Sequence, residues 1–128
     1  MDAEKLNDLS YRIIGAGVEV HRALGPGLLE STYRVCMVYE LRERQMNVVT
    51  EQVIPVRYKN LVLDGRCRID LIVEDTVIVE LKSVETVLPV HHAQVLSYLR
   101  HTKKPLGLLM NFNVAVLTAG VDRIKNGY

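Results

Sequence analysis

Asp70, Glu80 and Lys82 are the charged residues of this chain whose positions suggest chemistry. They lie within Arg68–Lys82, where two runs rich in Val, Ile and Leu flank a polar turn, the pattern of a β-hairpin. A charge inside so apolar a strand is costly unless it is paired or binds a metal. Residues two apart on a strand share a face, so Glu80 and Lys82 point the same way and Leu81 points away. Whether Asp70 joins them depends on the turn. A two-residue loop of Glu74 and Asp75 pairs Val73 with Thr76 and sets Asp70 against Val79. A three-residue loop ending at Thr76 pairs Val73 with Val77 and sets Asp70 opposite Glu80. We expect the second register, because it gathers two carboxylates and an ammonium in one place.

Asp70 followed by Glu80-Leu81-Lys82 resembles the signature of the PD-(D/E)XK nuclease superfamily. Gly27, Glu30 and Tyr33 form a Gly-x-x-Glu-x-x-Tyr motif that resembles the GxxExxY proteins, stand-alone members of that superfamily. Gln94 and Tyr98 resemble the Gln-x-x-x-Tyr motif of the RecB-type branch. The resemblance runs from about Ile13 to Ile124. It implies an α/β fold, a restriction-endonuclease-like αβββαβ core with a mixed central sheet flanked by helices. It also implies a metal-dependent hydrolase of DNA phosphodiester bonds using Mg²⁺ or Mn²⁺. By the resemblance, Asp70, Glu80 and the Leu81 backbone carbonyl would bind the metal, with Glu30 joining directly or through water. Lys82 would orient or help deprotonate the attacking water. Gln94 would position water, metal or phosphate, braced by Tyr98, and Tyr33 would be a core aromatic or a wall that orients Glu30. Three carboxylates in one pocket resist ionisation. Lys82 offsets one charge, and a divalent ion would offset the other two.

Composition limits the alternatives. At 128 residues, 48% of them hydrophobic and 24% charged, the chain is expected to form one globular domain spanning 1–128. No apolar run approaches the roughly 20 residues of a membrane span, so no membrane partner is expected. The first residues are polar and of mixed charge, unlike a secretory signal. Cys36 and Cys67 lack metal-ligand spacing, and reduced thiols in a cytoplasmic protein are expected. A net charge of +1 argues against tight nonspecific nucleic-acid binding but leaves room for a local basic groove. The small surface favours a homodimer or larger assembly for holding a long substrate. A noncatalytic nucleic-acid-binding or protein-interaction module on the same fold is the competing reading.

Elements must position these residues. Leu6, Leu9, Ile13, Ile14, Val18 and Val20 mark a helix over about 4–24, and its Gly15-Ala16-Gly17 interruption suggests close packing on a neighbour. His21, near its end, either answers the helix dipole or borders the site. Gly25-Pro26-Gly27 is a turn, and a second helix is expected over about 28–45. There Glu30 either complements the dipole and pairs with Arg34 or, as the resemblance implies, serves the site. Strands are expected over 48–58, 61–73 and 76–83, with Pro55 demanding an edge or a bulge and Asp64-Gly65 making a kink. Arg66, Arg68 and Asp70 alternate onto one face; the arginines either pair with carboxylates or contact phosphate. A third helix over about 90–102 carries His91, Gln94 and Tyr98 on one face. Lys103 and Lys104, at its end, answer the dipole or bind phosphate. A buried strand follows over 106–112, then a tail from Val114 to Tyr128 that adds a short strand or helix.

Overall fold

Nine elements follow one another in the computed structural model, which describes residues 2–127. They are helices α1 (Ala3–Leu24) and α2 (Glu30–Glu43), strands β1 (Val48–Tyr58), β2 (Leu61–Val73) and β3 (Val77–Lys82), helix α3 (Pro89–Thr102), strand β4 (Leu106–Asn111), a 3-10 turn (Leu117–Gly120) and strand β5 (Val121–Lys125). The expected αβββαβ order runs from α2 to β4, with α1 before it. The tail supplies both a 3-10 turn and a strand, and Tyr128 lies outside the described residues.

The sheet order is β1-β2-β3-β4-β5, antiparallel except for the parallel pair β3/β4. Parallel neighbours need a crossover, which α3 provides. Alternation sorts the strand residues into two layers. Leu71, Val73, Val77, Val79, Leu81, Leu106, Leu108 and Met110 pack against α1 and α2. Ile72, Ile78 and Leu109 pack with Val95, Tyr98 and Leu99 of α3. Each fully buried aliphatic side chain contributes about 1.5–3 kcal/mol, so Val79 and Leu81, on either side of Glu80, anchor it against the cost of burying its carboxylate.

Helix α1 starts where the Asp2 side chain accepts the Lys5 N–H (2.8 Å) and stops at Gly25, whose φ of 71° suits a residue without Cβ. The small residues within it have the expected reason: Ala16 is fully buried, and a Cβ at Gly17 would run into Met110 and Leu117. Helix α2 begins two residues later than expected, because the Leu28 N–H donates to the Tyr33 hydroxyl rather than entering a helix. The β1/β2 register shifts between Ile54 and Val56, around Pro55, and Lys59 (φ 53°) turns the hairpin. Among the described residues no helix is long and apolar enough to cross a membrane.

Candidate active site

β2 and β3 pair only over Leu71–Val79, Ile72–Ile78 and Val73–Val77. The loop is the three-residue one: the Thr76 N–H donates to Val73 O (3.0 Å), with Glu74 and Asp75 both at φ 52°. This register places Asp70 opposite Glu80, but the ladder ends one step before them. Beyond it β2 continues with β1, while Glu80, Leu81 and Lys82 pair with Leu109, Met110 and Asn111 of β4. The sheet forks, and the carboxylates fill the fork. The Asp70 N–H donates to Glu80 Oε1 (2.9 Å), and the Leu81 N–H donates to Asp70 Oδ2 (3.0 Å). Each carboxylate replaces a ladder carbonyl as acceptor. A strand residue's N–H and C=O point to the same side, so the Leu81 carbonyl also faces the fork. Its side chain is buried in the opposite layer.

Asp70 is 9% exposed and Glu80 4%. Burial, then the negative charge of Asp70, pushes the Glu80 carboxyl up to about 8; the Asp70 N–H and the Lys82 charge pull the other way. Glu80 therefore keeps its proton at neutral pH, and a bound cation would displace it. Two buried carboxylates and one backbone carbonyl form a hard-oxygen donor set that fits Mg²⁺ or Mn²⁺.

The cation nearest Asp70 is one that sequence reasoning assigned elsewhere. Arg34 Nη1 lies 3.8 Å from Asp70 Oδ1, and its Nη2 lies 3.1 Å from Glu51 Oε1. The Glu30–Arg34 pair, one of the two alternatives the spacing offered, does not form, because Arg34, one turn into α2, reaches across to β1 and β2 instead. The signal was the i,i+4 spacing itself, which puts Arg34 on the same face as Glu30. Lys82 is half-buried and makes no ion pair among the described residues. The Glu80–Lys82–Asp70 ion cluster that a purely structural hairpin would show is therefore absent, and Lys82 remains uncommitted.

Glu30 is the first residue of α2 and half-buried. The Gly25–Leu29 loop that leads to it is tied down twice. The Tyr33 hydroxyl donates to Gly25 O (2.6 Å) and accepts the Leu28 N–H (3.1 Å), and the Ser83 hydroxyl donates to Leu28 O (2.6 Å). Tyr33 is fully buried and stacks on Phe112 at 4.5 Å, so it serves as core aromatic and loop brace together. No three His, Cys, Asp or Glu side chains among the described residues come together as an ion site; Glu30 does not complete a three-carboxylate cluster with Asp70 and Glu80.

The β3–α3–β4 crossover explains the remaining placements. Because β3 and β4 run parallel, α3 must start near the Lys82 end of β3 and finish near its Val77 end. Gln94 is exposed on the first half of α3, and Tyr98, one turn further, is buried. Burial, then the Glu80 charge, pushes the Tyr98 phenol up to about 12. Tyr98 thus faces the carboxylates as a neutral phenol and has no capacity to act as a base near pH 7. The same topology takes Lys103 and Lys104 to the far end of β3. There Lys104 Nζ binds Asp75 through Oδ1 and the backbone O, both at 2.9 Å.

His21 is buried for a local reason: its Nε2 donates to Phe112 O (3.2 Å) and Val114 O (2.8 Å), fastening α1 to the segment after β4. His91 Nδ1 accepts the Leu88 N–H (3.0 Å) at the start of α3, and His92 contacts Asp122 (2.9 Å). Arg66 and Arg68 are exposed and form no ion pair among the described residues. They are not in simple phase with Asp70. Ile69 and Ile72, an odd number of positions apart, both pack under α3, so the alternation slips between them, opposite Glu51 at φ 50°. Arg68, exposed between Cys67 and Ile69, is near enough to α3 for its charge to act on the Tyr98 phenol.

Sequence reasoning also missed Asn111. It is 3% exposed; its Oδ1 accepts the N–H groups of Val84 (3.1 Å) and Asn113 (3.2 Å), and its Nδ2 donates to Val84 O (2.9 Å). It fixes the chain just past Lys82. A lone Asn ending an apolar strand carries no signal for this.

A family model described as the PD-(D/E)XK nuclease superfamily matches residues 7–124, and the chain belongs to that superfamily. No curated protein is significantly similar to it. Among solved structures, the crystal structure of SSO0001 is similar in fold, with a TM-score of 0.58 and 18% sequence identity; the match covers 77% of this chain and 51% of that one. The chain thus spans about half the length of that protein. Together these establish the restriction-endonuclease-like α/β fold, a mixed five-stranded sheet flanked by helices.

Proposed function

We propose that this protein is a metal-dependent nuclease of the GxxExxY type that hydrolyses DNA phosphodiester bonds. The observation that carries the reading is the fork, where the buried Asp70 and Glu80 carboxylates each accept a backbone N–H from the other's strand, two residues before Lys82, which makes no ion pair among the described residues. Asp70, Glu80 and the Leu81 carbonyl would hold Mg²⁺ or Mn²⁺, which supplies charge stabilisation and a more acidic water. Lys82 orients the attacking water and offsets charge that develops on phosphorus. Gln94, exposed above Tyr98, positions water or phosphate, and Tyr98 holds its turn of α3 against the sheet. Glu30, whose side chain has no hydrogen-bond or ion-pair partner among the described residues, acts through water or at a second ion. Arg68 and Arg66, unpaired along β2 from Asp70, contact phosphate.

One observation favours a noncatalytic module instead. Arg34 stands 3.8 Å from Asp70, where a resident side chain supplies part of the countercharge that a metal would bring. A single experiment separates the readings. Labelled single- and double-stranded DNA, linear and circular, is incubated with Mg²⁺ or Mn²⁺ and either wild type or Lys82→Ala. Cleavage by wild type that vanishes in Lys82→Ala and in EDTA supports the nuclease. No cleavage and no metal binding by folded wild type would leave the module.

A further inference from the structure

The near-neutral total charge conceals a strong segregation. β2 pairs with β3 only at Leu71–Val73, so residues 52–69 form a two-stranded ribbon that pairs only with itself. This ribbon curls over α3: Ile54 and Cys67 pack against the α3 layer, and Ile54, Pro55, Arg57, His101, Thr102 and Lys104 line one hollow. The ribbon carries Arg57, Lys59, Arg66 and Arg68 against a single acid, Asp64. Residues 89–104, comprising α3 and its end, carry Arg100, Lys103 and Lys104 and no acid. Seven cations and one carboxylate make +6, and the other residues, with nine cations and fourteen carboxylates, make −5, which restores the total of +1.

The pairing pattern is as uneven as the charge. Lys104 is engaged with Asp75. The other six cations of the lobe, Arg57, Lys59, Arg66, Arg68, Arg100 and Lys103, are all exposed, and none forms an ion pair among the described residues. A helix dipole accounts for Arg100 and Lys103 at the end of α3, but not for the four on the ribbon. At the ribbon tip Tyr58 is 62% exposed, with the Lys59 ammonium 5.3 Å from its ring centroid. A two-stranded ribbon has the cross-section that the major groove of a duplex admits, and unpaired exposed cations are what releases counterions from phosphates.

We propose that the β1–β2 ribbon, with the end of α3, is a docking surface for duplex DNA that works independently of the carboxylate fork. The occupant follows from charge: two copies docked lobe to lobe would set +6 against +6, and a duplex offers the continuous row of phosphates that six exposed cations match. The proposal rests on the reading of the protein as a nuclease in taking DNA as the partner, but binding and cleavage can fail separately.

The test is fluorescence anisotropy of a labelled duplex in EDTA, titrated with wild type, with Arg57→Glu/Lys59→Glu, with the milder Arg57→Gln/Lys59→Gln, and with Arg12→Glu/Arg22→Glu as a control on α1. We expect the ribbon reversals to weaken binding at least tenfold and to lower the salt slope by about two. The control should change affinity less than twofold. Wild type that binds without cleaving when Mg²⁺ or Mn²⁺ is added would sink the nuclease reading and leave the docking surface standing. Ribbon variants that bind as wild type does would overturn the docking surface, whether or not DNA is cut. So would an unchanged affinity alongside a loss of self-association measured by ultracentrifugation, which would make the ribbon a protein contact.

Discussion

Glu80 keeps its proton to a pH of about 8 in the folded protein, against 4.5 for an ordinary glutamate. Between those values the folded state holds a proton that the unfolded state has released, so stability should fall as pH rises. The slope is at most about 1.4 kcal/mol per pH unit. Thermal scans from pH 5 to 8 in EDTA should show Tm declining in wild type and a flatter line in Glu80→Gln. Millimolar Mg²⁺ or Mn²⁺ should flatten wild type as well, by replacing the proton. Equal slopes in wild type and variant would show that Glu80 is not the group responsible. Arg34 belongs to the same balance. Its side chain is 20% exposed and Asp70's 13%, so Arg34→Ala, which leaves the buried Asp70 without that cation, should cost about 3 kcal/mol, measured by denaturant titration in EDTA. The cost should shrink when metal supplies the missing charge.

The elements position the site through a few close contacts. α3 approaches the sheet closely over Gly107, where a Cβ would collide with the γ-methyl of Val95. Val is stiff at χ1 and cannot easily turn aside. Gly107→Ala should therefore destabilise by about 1–3 kcal/mol and displace Gln94 and Tyr98 with the helix; the check is Tm together with cleavage rate. On the other side of the sheet, Tyr33→Phe keeps the stack on Phe112 but removes the hydroxyl shared by Gly25 and Leu28. We expect a loss of about 1–2 kcal/mol and lower activity through a looser Glu30. Activity and stability both equal to wild type would show that the loop is held by the Ser83 contact alone.

Across the whole molecule, opposed charges of +6 and −5 on two regions should steer a polyanion toward the ribbon and α3. Binding should therefore depend steeply on salt even though the net charge is +1. A duplex affinity that barely changes between low and physiological salt would contradict this. Most of the acidic excess lies in residues 70–88, where Asp70, Glu74, Asp75, Glu80 and Glu85 stand against the single cation Lys82, while residues 2–44 are nearly balanced.

What the sequence determined by itself is local or periodic. The two apolar layers follow from alternation, the β2/β3 register from loop length and charge, and the order of elements from period and turn residues. Asp70, Glu80 and Lys82 were legible because charges in an apolar strand demand a reason. Only the tertiary structure decided which charges meet. Arg34 read as the partner of Glu30 along its own helix, yet it reaches Asp70 and Glu51, because contact between elements is set by packing rather than by spacing in the chain. The fork could not be read either. The ladder breaks where two carboxylates take over as acceptors, and that choice depends on β3 staying with β4 while β2 stays with β1. Spacing left open where Lys103 and Lys104 stand relative to the carboxylates; a parallel crossover must return to the start of its strand, and so it carries them to the other end.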